Sequence, residues 1–102
     1  MSLFRLANEW PPGDEDYRSL KDKGRPVRPP ITADKVEAWS GISSFDSADR
    51  AREVAEQFPG RWRYIVRYDL PAGSPVRWVQ TFGDGHYTIW ATREKLEPYL
   101  AP

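Results

Sequence analysis

Residues 41–82 read GISSFDSADRAREVAEQFPGRWRYIVRYDLPAGSPVRWVQTF, and the reading of this stretch decides the fold. Ala48, Ala51, Val54, Ala55 and Phe58 recur at helical intervals, with Asp49, Arg50, Arg52, Glu53, Glu56 and Gln57 between them. That spacing predicts one amphipathic helix with a single apolar stripe. Asp46 or Ser47 offers an oxygen to an orphan N–H at its start, and Pro59-Gly60 stops it. From Trp62 the period changes to two: Trp62, Tyr64, Val66, Tyr68 and Leu70 share one face, and Arg61, Arg63, Arg67 and Asp69 the other. Pro71-Ala72-Gly73-Ser74-Pro75 turns the chain, and Val76, Trp78, Gln80 and Phe82 alternate against Arg77, Val79 and Thr81. The expectation is a helix packed on a hairpin of these two strands, with Phe58, Val66 and Trp78 in one core and Arg61, Arg63, Arg67 and Arg77 on the outer face.

Outward from that stretch, Leu3 to Ala7 predicts a first strand, interrupted by the charge of Arg5 and stopped by Trp10-Pro11-Pro12-Gly13. Asp14, Glu15 and Asp16 suit the positive end of one helical turn reaching Tyr17 and Leu20. Residues 21–30 carry Lys21, Lys23, Arg25 and Arg28 among Gly24, Pro26, Pro29 and Pro30, the composition of an exposed basic loop. Thr32 is placed to cap a short helix through Trp39, flanked by the staple spacing of Ile31 and Val36, with Gly41 to end it. Gly83-Asp84-Gly85 marks a turn before a strand over His86 to Ala91, and Thr92 precedes a brief final helix limited by Pro98. The predicted class is α+β: a small, mainly antiparallel twisted sheet with one main amphipathic helix and short flanking helices, as a single domain. Strands are expected near 3–7, 42–45, 62–70, 76–82 and 86–91.

Composition excludes several functions. Fifteen basic residues balance fifteen acidic ones in 102, which argues against a strong nonspecific field for nucleic acid or anionic lipid. Cysteine is absent and His86 is the only histidine, so thiolate chemistry and His-pair metal sites are ruled out. The mean hydropathy of -0.73, the absence of any run of about 18 apolar residues and the lack of a signal-peptide pattern lead to the expectation of a cytoplasmic protein without a membrane partner. Ser43 and Ser44 lack the flanking glycines of a nucleophile elbow. Gly83-Asp84-Gly85 lacks the Lys-Ser/Thr of a phosphate loop. RNA binding calls for aromatic residues on the arginine face, whereas the alternation places them opposite.

The order of these elements resembles a trimmed ADP-ribosyltransferase-like fold. Phe4-Arg5-Leu6 matches its first strand, Gly41-Ile42-Ser43-Ser44-Phe45 its serine-bearing second strand, Ala48 to Phe58 its alanine-rich helix, and Pro71 to Val76 its proline–glycine turn. The resemblance implies NAD as ligand, with Arg5 on its phosphate, Ser43 or Ser44 on the nicotinamide ribose, and a glutamate stabilising the oxocarbenium ion. Residues 76–91 contain no glutamate, so Glu94 in the final helical segment is the candidate acid. Trp39 to Phe45 and Gly85 to Trp90 also resemble a "W-x-G-I-S-x-F" and "G-H-Y-T-x-W" pattern of small bacterial proteins, which implies no activity. Two functions follow as expectations. One is a small domain that binds NAD or a related nucleotide; the other is a non-enzymatic module that holds a protein partner through its Pro/Arg loop or a strand edge. They differ in whether Arg5, a serine and a glutamate converge in one cleft.

Overall fold

A computed structural model describes all residues 1–102. Alternating apolar residues in five short segments pair into one antiparallel sheet: β1 (Ser2–Ala7), β2 (Ile42–Phe45), β3 (Tyr64–Asp69), β4 (Arg77–Gln80) and β5 (His86–Trp90), in the order β3-β1-β2-β5-β4. Three helices accompany it, α1 (Ala33–Trp39), α2 (Ala48–Gln57) and α3 (Arg93–Leu96), with short 3-10 turns at Asp14–Tyr17 and Glu97–Tyr99. No helix is long and apolar enough to cross a membrane. The α+β class and the expected elements are present. The caps are those the sequence offers: Thr32 Oγ1 accepts from the Lys35 N–H at 3.3 Å, and Ser47 Oγ from the Arg50 N–H at 3.1 Å.

Strand register assigns each residue a face. Leu3, Ala7, Ile42, Val66, Tyr68 and Ile89 share the main core with Tyr17 and with Leu96 of α3. The other face carries Leu6 and Phe45, which bury against Ala51 of α2 with Phe4, Val54, Ala55 and Trp62 around them. The helix stripe therefore packs as its spacing predicts, except for Phe58. That residue leaves the helix at its C-terminal cap, stays 46% exposed and rests edge-on against Trp62 at 6.0 Å. Of the three residues expected in one core, Val66 is buried there, Trp78 packs half-buried against it, and Phe58 lies outside it.

The predicted hairpin is overturned. β3 and β4 stand at opposite edges of the sheet, so Arg61, Arg63, Arg67 and Arg77 share no hairpin face. Both sides of β3 are already taken: β1 pairs one, and on the other the Ala101 N–H donates to Arg67 O at 2.8 Å beside a Tyr68–Leu100 bridge. β4 instead pairs with β5 across the Gly83-Asp84-Gly85 turn. Four inter-strand steps of about 4.8 Å each separate the two edges. The residues linking β3 to β4 span that gap, anchored in the main core by Leu70 and Val76. The proline–glycine segment is a crossover whose flanking apolar residues require burial.

Gly41 tests this packing, because a Cβ there would collide with the Thr88 methyl and meet the Ile89 carbonyl at 2.9 Å. Backbone cannot yield as a flexible side chain does. Gly41→Ala is expected to lose about 1–3 kcal/mol in urea unfolding, the usual cost of overpacking.

Candidate functional site

Arg5 lies on the interior strand β1, on the same face as Leu3 and Ala7, and is only 8% exposed. A guanidinium buried in that position needs hydrogen-bond acceptors to offset its lost hydration. Its Nε donates to Ser43 O at 2.9 Å, and its Nη1 donates to the Asp16 carbonyl. Burial lowers its pKa, opposed by nearby Tyr68 and Asp16. The Asp16 carboxylate in turn accepts the backbone N–H groups of Asn8, Glu9 and Gly13 at 2.9, 3.3 and 3.0 Å. Tyr68 donates to the Tyr17 hydroxyl at 2.9 Å; burial, and then the loss of that bond on ionisation, raise its pKa. Arg5 thus ties β1, β2 and the 3-10 turn together, and its donors serve two carbonyls of the fold.

The other candidates are dispersed. Ser44 is fully buried and donates its hydroxyl to Tyr87 O at 3.0 Å. Ser43 points the opposite way from the strand and lies open to solvent. Glu94 is exposed on α3, the helix that covers the main-core face through Leu96, whereas Ser43 lies on the face that α2 covers. Arg5 and Ser43 meet through a backbone carbonyl. Glu94 does not join them.

Ser43 opens into a cleft of about 680 Å³ whose other walls are brought from distant parts of the chain. The basic loop supplies Arg25 and Arg28, α1 supplies Lys35 and Trp39, the end of α2 supplies Phe58 and Arg61, and Phe82 comes from the β4–β5 turn. The loop holds its shape through local bonds: Ser19 Oγ accepts from the Asp22 N–H at 3.1 Å, the Arg25 N–H reaches Leu20 O at 2.9 Å, and Trp39 Nε1 donates to Arg25 O at 2.6 Å. Arg61 lies over the Trp62 ring at 4.8 Å and the Phe58 ring at 5.6 Å. Four cations line the cleft and no carboxylate does. None of the four is in an ion pair, although Arg18, Arg52, Arg67, Arg77 and Arg93 all are. The basic loop was legible as exposed and cationic. Its partners Lys35, Arg61 and Phe82 were not, since each sits on a separate element.

Behind Phe82 stands His86, its ring 5.3 Å away and itself edge-on to Phe45 at 5.5 Å. Burial lowers the His86 pKa, and its Nδ1 shares a hydrogen bond with Thr81 Oγ1 across 2.8 Å, with Thr88 Oγ1 2.8 Å from that same hydroxyl. Comparison with protein-family models, curated proteins and solved structures finds no match to this chain.

Two outcomes follow. Arg5→Lys loses at least one charge-assisted bond and is expected to cost about 1.5–3 kcal/mol in denaturant unfolding. Because the folded pKa of His86 lies below its unfolded value of about 6.5, the unfolded chain binds more protons as pH falls, and stability declines from about pH 6.5 downward. His86→Gln is expected to flatten the dependence of melting temperature between about pH 6.5 and 5, where no other side chain of the chain ordinarily titrates.

Proposed function

We propose that this cleft binds NAD or a related nucleotide through its phosphates, as a binding domain in which Glu94 takes no part. The observation that carries the reading is the charge segregation: in a chain with equal numbers of acidic and basic residues, four cations without acidic partners converge on one cleft. Leaving like charges together costs free energy through mutual repulsion, and a polyanion relieves it. Guanidinium groups suit phosphate because their planar donors match two oxygens at once. Trp39, Phe58 and Phe82 add apolar walls, which a bare inorganic anion would not require. The resemblance to ADP-ribosyltransferase-like domains supports the same ligand class, with the phosphate contact carried by the cleft cations in place of Arg5.

Calorimetric titration with NAD, ADP-ribose and ADP tests this. Wild type is expected to bind with an affinity that falls as salt rises, because the attraction is carried by exposed charge. Arg61→Ala and Arg25→Ala are each expected to weaken binding about tenfold or more, the loss of one charge-assisted contact, whereas Glu94→Gln has no effect. No binding at millimolar nucleotide, or capture of an acidic peptide in its place, overturns the reading in favour of an interaction module.

A further inference from the structure

Phe82 is the only non-glycine residue with a positive φ, at 55°, followed by Gly83 at 91°. A phenylalanine in the left-handed region is strained, and such strain persists only where something else holds it in place. Core burial does not account for it, since the side chain remains 56% exposed. What holds it is a built pedestal. The ring leans on His86 at 5.3 Å and 59°, His86 packs on Phe45, and the Thr81 hydroxyl joins His86 Nδ1 to Thr88. The Thr81 N–H also donates to His86 O at 2.9 Å, which fixes the chain just before the strained residue.

Phe82 forms part of the cationic cleft and also of a smaller neighbouring pocket that contains Asp34, so it stands on the rim between basic and acidic surroundings. An exposed ring supported from behind and bordered by unpaired cations is arranged to receive a planar partner. Resting on the nucleotide reading above, we propose that Phe82 stacks against the base of the ligand and is the residue that distinguishes nucleotides from base-free polyphosphates. Arg25, Arg28, Lys35 and Arg61 then hold the phosphates.

The test compares ADP with inorganic pyrophosphate by calorimetry in wild type, Phe82→Asn and Phe82→Tyr. Asparagine tolerates the left-handed region but lacks the ring, so it separates stacking from backbone strain. Wild type is expected to bind ADP at least tenfold more tightly than pyrophosphate. Phe82→Asn should bring ADP down to the affinity of pyrophosphate, leave pyrophosphate unchanged, and melt no lower than wild type. Phe82→Tyr, which keeps the ring, should retain the discrimination. If pyrophosphate binds wild type and ADP binds no more tightly, or if Phe82→Asn leaves the ratio intact or weakens both ligands equally, the stacking role is overturned while the anion cleft stands. If neither ligand binds wild type, the cleft reading fails and the role of Phe82 fails with it.

Discussion

A guanidinium buried in an interior strand is the constraint on which this fold depends. Along β1 and β2 the only paired residues are Phe4 and Phe45, so the Ser43 carbonyl is free to accept from Arg5 Nε at 2.9 Å. The second donor of Arg5 holds the Asp16 carbonyl, and the Asp16 carboxylate gathers three backbone N–H groups where the chain leaves β1. Removing a charge from water costs several kcal/mol, and hydrogen bonds to these carbonyls offset part of that cost. They position the 3-10 turn, Tyr17 and the start of the basic loop.

This arrangement divides the two faces of the sheet. One face buries the Arg5 network beside Tyr17 and α3, with the ends of the β3–β4 crossover in the same core. The other is covered unevenly: α2 packs over β1 and β2, and α1 is tied to the β4–β5 edge, where Trp90 Nε1 donates to Glu37 O at 3.2 Å and Arg77 pairs with Glu37 at 2.7 Å. The cleft is the surface between those helices. The same amphipathic character of α1 that sends Glu37 toward Arg77 leaves Lys35 and Trp39 on the cleft side.

The site the sequence points to and the site the structure assembles overlap at Ser43. Arg5 stands out as a charge inside an apolar strand, and its place in that strand buries it as a structural tie. Ser43 and Ser44 are indistinguishable in the sequence, yet strand alternation sends one hydroxyl into the sheet and the other to solvent. Glu94 follows the sequence order of the resemblance, but its helix docks on the far face because Leu96 completes the main core.

By itself, the sequence determined the local elements. Helical spacing from Ala48 to Ala55, the oxygens of Thr32 and Ser47, the alternation from Val66 to Leu70 and the glycines around Asp84 act over a few residues, where side-chain period and backbone geometry are decisive. Only the tertiary structure decided which strands pair. Two alternating strands separated by a proline–glycine turn satisfy the local rules of a hairpin, but the outer edge of β3 is occupied by Leu100 and Ala101, more than thirty residues away. Pairing is a competition among distant edges, and the cleft inherits its residues from the outcome: a loop, two helices and a turn meet because the sheet order brings them to one face.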